Sequence, residues 1–322
     1  MPFFEGTEKK VELVIDAGQP SLRALGEEYW NRVCRRAGAH VLSRLTNEHC
    51  DAYLLSESSL FIYAHKMIMI TCGQTRLSGA VRELLQTVPA EQVRFFVYER
   101  KNEVFPHIQP TSFFDDIREL NDLLPGKAFQ FGSEDEHHLY LFHLDRPFTG
   151  DPRDMTAEIL MYGLNKRVRR VFRPGEGKRP VREQTGMAGL IPGFDIDDHL
   201  FEPSGYSLNA IRGDQYWTVH VTPEKTSSYA SFETNYRSQG DLEELAGRVL
   251  ELFDPRSFDV VLFDRAGSAS FDVGRYHLKQ HVAQELNCGY QVRFLSFFRP
   301  HEGVGRPLEI PVGSRTRVGQ PG

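Results

Sequence analysis

The chain has 322 residues, 40% of them hydrophobic and 25% charged, which excludes collagen-like, low-complexity and wholly disordered classes. Its 38 Lys and Arg against 44 Asp and Glu leave a formal net charge of −6. That balance argues against a general nucleic-acid or anionic-membrane binder and leaves a small cationic ligand open. No apolar run reaches the length of a bilayer span. The start, Met1-Pro2-Phe3-Phe4-Glu5, lacks a basic-then-apolar signal peptide, so a cytoplasmic location is the default expectation. Cys34, Cys50, Cys72 and Cys288 form neither a disulfide framework nor a CxxC pair.

In chain order, 11–15 reads as a strand and 21–36 as a helix carrying Leu22, Leu25, Tyr29, Trp30 and Val33. Residues 39–45 and 52–55 read as strands, followed by the polar turn Ser56-Glu57-Ser58-Ser59. Residues 60–63 and 67–70 form a hairpin around Ala64-His65-Lys66. A helix over 78–87, a strand over 93–99, a helix over 113–123 and a strand over 138–144 follow, while 155–163 fits either helix or strand. Residues 173–186 read as a mobile loop. The second half has a similar make-up, with strands at 216–221 and 228–233, a helix at 242–253, a strand at 258–263, a helix at 275–286 and a strand at 290–297. The Pro-, Gly- and Arg-rich stretch 299–322 is expected to be a disordered tail beyond a single domain of residues 1–298. A short echo, Ser-Ser-Leu-Phe (58–61) and Tyr-Ser-Leu-Asn (206–209), suggests related halves. Strands outnumber helices without regular interleaving, so the expected class is α+β with antiparallel sheets.

Motifs for phosphate loops, zinc proteases and nucleophile elbows do not occur. His137-His138 beside acidic residues reads as a solvated strand edge, so no metal is expected. The informative blocks are Phe3-Phe4-Glu5-Gly6-Thr7-Glu8-Lys9, Tyr53-Leu54-Leu55-Ser56-Glu57-Ser58-Ser59, Thr71-Cys72-Gly73, Gly205-Tyr206-Ser207-Leu208-Asn209, Tyr216 to Glu224, and Ser231-Phe232-Glu233-Thr234-Asn235. In this order they resemble the eukaryotic-type S-adenosylmethionine decarboxylases, over residues 3 to about 297. The resemblance implies a four-layer αββα sandwich of two antiparallel sheets built from two related halves.

The resemblance also implies a pyruvoyl-dependent decarboxylase. Decarboxylation needs an electron sink, and a ketone that forms a Schiff base with the substrate amine supplies one. The ketone would come from Ser58, whose hydroxyl attacks the Glu57 carbonyl; β-elimination then cuts the chain into a β subunit, 1–57, and an α subunit, 58–322. His220 matches the family's base for processing, Ser207 its processing serine, and Cys72 the proton donor in decarboxylation. Glu8 matches an acid used in processing and catalysis, and Glu5 a neighbouring active-site acid. Phe4 and Phe201 match the pair that stacks on adenine, Glu224 the carboxylate that holds the ribose, and Leu55 a further substrate-binding position. The resemblance implies S-adenosylmethionine as the substrate and, as the product, an aminopropyl donor for spermidine and spermine biosynthesis.

Animal members are activated by putrescine, and Glu12, Asp154, Thr156, Glu158, Glu233 and Phe263 match their acidic effector cluster. Ile70 stands where animal enzymes carry a lysine, and Glu99 where they carry a serine. The charge balance therefore differs. Either putrescine binds differently, or internal bases such as Lys10 or Arg100 fill the pocket. A homodimer of αβ units and a monomer are both compatible with the family. Two alternatives are a pyruvoyl-dependent ornithine or arginine decarboxylase and a non-catalytic regulatory homologue. The joint presence of Phe4, Phe201 and Glu224 argues against the first, and that of Ser58, Cys72 and His220 against the second.

Overall fold

A computed structural model describes residues 4–175, 179–236, 242–265 and 273–300. The first half contains β1 (Lys9–Ile15), α1 (Glu27–Ala37), β2 (Val41–Thr46), β3 (Asp51–Leu55), β4 (Ser58–Ile62), β5 (Lys66–Thr71), α2 (Leu77–Leu85), β6 (Val93–Lys101), α3 (Phe113–Leu123), β7 (Gly126–Phe131) and β8 (Leu139–Leu144). The second contains β9 (Thr156–Tyr162), α4 (Lys166–Val171), α5 (Val181–Thr185), β10 (Asp195–Leu200), β11 (Tyr206–Arg212), β12 (Gln215–Thr222), β13 (Tyr229–Thr234), α6 (Leu242–Phe253), β14 (Ser257–Asp264), β15 (His277–Glu285) and β16 (Gln291–Phe298).

The strands form two eight-stranded antiparallel sheets, ordered β2-β3-β4-β5-β1-β6-β8-β7 and β10-β11-β12-β13-β9-β14-β16-β15. Adding eight to each strand number of the first order gives the second, so the halves share one topology. The echo at 58–61 and 206–209 does not mark it, because 58–61 lies in β4 and 206–209 in β11, the counterpart of β3.

Side-chain alternation builds the layers. In β1, Val11, Leu13 and Ile15 join the core beneath α1, α2 and α3, with Trp30, Val33, Val81 and Leu120. In β9, Ala157, Ile159 and Met161 join the corresponding core of the second half, with Val249 and Phe253 of α6. The opposite faces of the two sheets meet, Phe95, Val97 and Leu141 packing with Leu160, Val261 and Phe294, and Phe61 and Ile70 with Ile211 and Tyr216. The result is helix, sheet, sheet, helix. The same alternation sends Lys10 and Glu12 of β1, Ser207 and Asn209 of β11, Thr218 and His220 of β12, and Ser231 and Glu233 of β13 into the layer between the sheets.

Several expectations need correction. The helix expected over 275–286 is strand β15. Its apolar positions Leu278, Val282 and Leu286 are four apart, a spacing that fits a helical face and a two-residue strand period equally. The helix expected over 21–36 is a 3₁₀ turn, Leu22–Leu25, followed by α1, separated by Gly26 at φ 82°. The loop expected over 173–186 contains α5. Residues 155–163 resolve as β9. Strands β7, β10 and β11 are not among the expected strands; β7 and β10 are sheet edges with mixed polar sequences and little buried surface, whereas β11 is an almost fully buried inner strand. Of the expected tail 299–322, residues 301–322 lie outside the described residues. Among those described, no helix is long and apolar enough to cross a membrane.

Candidate active site

The turn joining β3 to β4 holds the expected cleavage residues Glu57 and Ser58. Strand pairing sets Leu55 opposite Ser58 and Ser58 opposite Thr71, leaving Ser56-Glu57 as a two-residue connection. Ser58 closes it at φ 129°, a backbone region that side chains disfavour. The Glu57 carbonyl accepts the Cys72 amide at 2.9 Å and faces the Cys72 thiol at 3.6 Å. The Ser58 hydroxyl meets that same sulfur at 3.5 Å. Burial, and then the nearby Glu57 carboxyl, pushes the Cys72 thiol well above its ordinary range, so it keeps its proton. Burial also raises Glu57 to about 7 against the opposing charge of Lys9. Lys9 in turn holds the Cys72 loop, its ammonium donating to the carbonyls of Gly73 at 3.2 Å and Thr75 at 2.9 Å.

The second sheet carries His220, the expected base, on β12. His220 Nδ1 lies 2.6 Å from Glu8 Oε1, so the carboxylate favours the tautomer with hydrogen on Nδ1 and a lone pair on Nε2. Glu8 is held by the Ser231 hydroxyl at 2.7 Å and the Tyr229 hydroxyl at 3.2 Å. His220 Nε2 lies 2.8 Å from Ser59 Oγ and 3.1 Å from Thr218 Oγ1. Ser59 Oγ also lies 2.6 Å from Asn209 Oδ1, a second acceptor competing for its one proton. The immediate partner of His220 is therefore Ser59, the residue after the expected cleavage serine. Strand alternation explains this, since Ser59 and Phe61 face the layer between the sheets. No sequence motif singles out Ser59, Asn209 and Thr218; their odd or even position relative to His220 and the core residues is the available signal.

A cleft of about 430 Å³ opens beside the turn, lined by Phe4, Glu57, Ser58, Cys72, Phe201, Ser207, His220 and Glu224 among others. It gathers most of the expected site. Ser207 sits opposite His220 in the β11–β12 pairing, and Phe201 is carried by the turn Phe201–Gly205, whose Phe201 amide donates to the Gly205 carbonyl at 2.9 Å. Three expected residues are outside the lining, and Glu8 stands behind His220, on its Nδ1. Leu55 is fully buried in the helix-side core, because it lies on the alternation face of Tyr53. Glu5 is buried outside the cleft lining, its oxygens accepting the Thr7 hydroxyl at 2.9 Å and the Phe105 amide at 2.7 Å.

The acidic cluster also forms between the sheets. Lys10 reaches Glu158 at 2.8 Å, Glu233 at 3.0 Å and Glu99 at 3.9 Å, and lies 5.8 Å from the centre of the Phe263 ring. Lys101 bridges Glu99 at 2.5 Å and Glu158 at 2.6 Å. Burial opposes charge on all of them, but the two lysines pull Glu158 down to about 2. Burial and the Glu158 charge raise Glu233 to about 8 despite Lys10. Tyr216 donates to Glu233 at 2.5 Å. Glu12 faces Lys66 at 3.7 Å, Asp154 accepts from Tyr290 at 2.5 Å, and Thr156 is buried. Arg100 is not in the cluster, contrary to one expectation; it pairs with Asp116 and Glu103 at 2.7 Å each. Its side chain lies on the opposite face of β6 from Glu99 and Lys101. His137 lies 3.3 Å from Asp259, and no metal-binding group of three acids, histidines or cysteines occurs among the described residues.

A family model described as adenosylmethionine decarboxylase matches residues 1–298. The S-adenosylmethionine decarboxylase proenzyme of Dictyostelium discoideum is 34% identical, covering 90% of this chain and 84% of its own. That of Xenopus laevis is 36% identical over 81% of this chain and 83% of its own, and proenzyme 3 of Arabidopsis thaliana 32% identical over 93% and 95%. The crystal structure of the Trypanosoma brucei AdoMetDC-delta26 monomer superposes with a TM-score of 0.59 at 26% identity, covering 75% of this chain and 99% of that one. The two-sheet fold and the family match agree, and the chain belongs to the adenosylmethionine decarboxylase family.

Proposed function

We propose that this chain is a self-processing decarboxylase that cuts itself between Glu57 and Ser58 and converts S-adenosylmethionine to its decarboxylated form and CO2, for aminopropyl transfer in polyamine biosynthesis. The observation that carries the reading is the strained Ser58 backbone, at φ 129°, next to a Glu57 carbonyl already held by the Cys72 amide. A residue in such a region stores about 1–3 kcal/mol, and cutting the chain there releases it. The Cys72 N–H is aimed at the oxygen that becomes negative when the Ser58 hydroxyl adds to the Glu57 carbonyl carbon.

Collapse of that adduct breaks the C–N bond and leaves an ester, with the Ser58 nitrogen as a free amine. Loss of the residue-58 Cα proton then expels the Glu57 carboxylate, and hydrolysis of the resulting enamine releases ammonia and leaves the ketone. His220, with Nδ1 held by Glu8, is the base lining the cleft for that proton. The terminal ketone supplies the electron sink for decarboxylation. Cys72, kept protonated by its burial, is placed beside residue 58 to return a proton. Phe4 and Phe201 provide faces for an adenine and a sulfonium, and Glu224 an acceptor for ribose hydroxyls.

In the effector cluster, Lys10 and Lys101 provide two internal ammonium groups where a diamine would supply two. We infer activity that does not require putrescine, because the buried carboxylates are already compensated.

The test is a denaturing intact-mass spectrum. Two chains are expected, ending at Glu57 and beginning at position 58, the second about 17 Da lighter than a serine-started chain because ammonia is lost. Ser58→Ala should stay uncut and inactive; an uncut variant with full decarboxylase activity would refute the assignment.

A further inference from the structure

The loop from Pro223 to Ser228, between β12 and β13, separates two cavities. Glu224 lines the substrate cleft. Lys225, Thr226, Ser227 and Ser228 line a second cavity of about 480 Å³, completed by Arg169 of α4 and by Arg256 just before β14. Three cationic side chains and three hydroxyls therefore share one hollow outside the cleft.

These cations are not balanced from within. Among the described residues, none of Arg169, Lys225 and Arg256 forms an ion pair with a carboxylate. Arg169 uses one terminal nitrogen on the Glu224 carbonyl at 2.7 Å, but its Nε is buried with no acceptor. The Ser227 hydroxyl is likewise buried and without a partner. A buried donor left in this way has lost its water and gained nothing in exchange. Three acids are close, and the charge of Glu224 acts on Arg169 without forming an ion pair. Glu5 lines the cavity, but its oxygens accept from Thr7 and Phe105. Asp259 faces the cavity-lining His137 at 3.3 Å. Neither of these two meets the arginines or Lys225.

We propose that this second cavity is a binding site for a phosphate-class anion. A guanidinium edge, an ammonium and several hydroxyls offer more donors than the two oxygens of a carboxylate accept, and suit a tetrahedral group with three free oxygens. The volume exceeds that of a lone phosphate, which leaves room for the organic part of a phosphomonoester. An anion here would satisfy both unpartnered donors and rest on the loop whose preceding residue, Glu224, faces the cleft.

The site is tested by thermal unfolding of the full chain with inorganic phosphate or with glycerol phosphate, each against chloride at matched ionic strength. A ligand that binds only the folded state, at about ten times its Kd, should raise the Tm by about 2–4 °C. The Lys225→Gln/Arg256→Gln variant should keep its Tm in chloride, since neither side chain makes a hydrogen bond among the described residues, and should lose at least half of the rise. Ser227→Ala, a smaller change, should also reduce it. A larger shift with glycerol phosphate identifies an organic phosphate as the occupant, and equal shifts identify the free ion. No rise in the parent protein, or a double variant that retains more than half of it, overturns the proposal.

Discussion

Lys10→Ala probes the claim that the acidic cluster is compensated from within. The substitution removes an ammonium lying 2.8 Å from Glu158 and 3.0 Å from Glu233, with side-chain exposures of 2% for Lys10, 2% for Glu158 and 6% for Glu233. Lys101 is then left with Glu99 and Glu158, and Glu233 loses its ammonium partner. Removing one partner of a buried pair costs about 3–5 kcal/mol, because the remaining charge has no water to replace it. For a chain of this size that corresponds to a Tm lower by roughly 4–8 °C. Glu233, already raised to about 8, would hold its proton still more firmly, which absorbs part of the cost. The deletion also opens a space shaped like the lysine stem, four methylenes ending in an ammonium, and putrescine carries the same four methylenes between two. Differential scanning calorimetry with and without putrescine reads both effects. Putrescine at about a hundred times its Kd should return about 2.7 kcal/mol to the variant and leave the parent protein unmoved. A variant as stable as the parent, or a parent stabilised by putrescine as strongly as the variant, would refute the reasoning.

Phe201→Ala should weaken substrate binding by about 1–3 kcal/mol, the range for stacking on a base; equal affinity by calorimetry on the processed protein would remove Phe201 from the adenine site. Cys72→Ala keeps the backbone amide that holds the Glu57 carbonyl, so it should still yield two chains by mass while decarboxylating poorly and inactivating during turnover. Normal turnover would assign the proton to another group. Gly73→Ala puts a Cβ 2.8 Å from the Glu57 carboxylate and 3.2 Å from Phe4 at a φ of +66°. It should slow self-cleavage, followed on denaturing gels, and lower stability by about 1 kcal/mol or more; an unchanged cleavage rate would show that the turn has slack.

The legible parts of the fold are those where one pattern has one reading. The alternation of Val11, Leu13 and Ile15, and the apolar face of α6, leave no competing period. At β15 the four-residue spacing of Leu278, Val282 and Leu286 serves both periods, and only pairing with β16 decides it. The edge strands β7 and β10 bury too little to leave a pattern at all. The site divides in the same way. Ser58, Cys72, His220 and Glu224 stand out by their blocks and do share a cleft, which Phe201, outside every block, joins. Ser59, Asn209 and Thr218 do not, because a hydroxyl or an amide on a strand looks the same whether it faces solvent, a core or a histidine. Lys101 escapes notice for a similar reason: strand alternation places Glu99 and Lys101 together and Arg100 on the other face, which the bare run Glu-Arg-Lys does not state.

That division of labour between faces explains why the chemistry needs both halves. Glu8, the scissile turn and Cys72 come from the first sheet; Ser207, His220 and Glu224 come from the second or from the loop that follows its strand β12. The contact that joins them, Glu8 to His220 at 2.6 Å, spans 212 residues of sequence. Neither half alone holds both the strained Ser58 and His220, whose Nε2 meets the neighbouring Ser59, so self-cleavage that uses both is expected only after the two sheets dock. The acids and lysines of the neighbouring cluster bridge the same interface, Lys10 and Lys101 from the first sheet meeting Glu158 and Glu233 from the second. Charge compensation there therefore helps to set the distance between the sheets, and with it the position of His220 relative to the turn. A change in that cluster, such as Lys10→Ala, is therefore expected to alter the rate of self-cleavage as well as stability, and an unchanged rate on denaturing gels would separate the two.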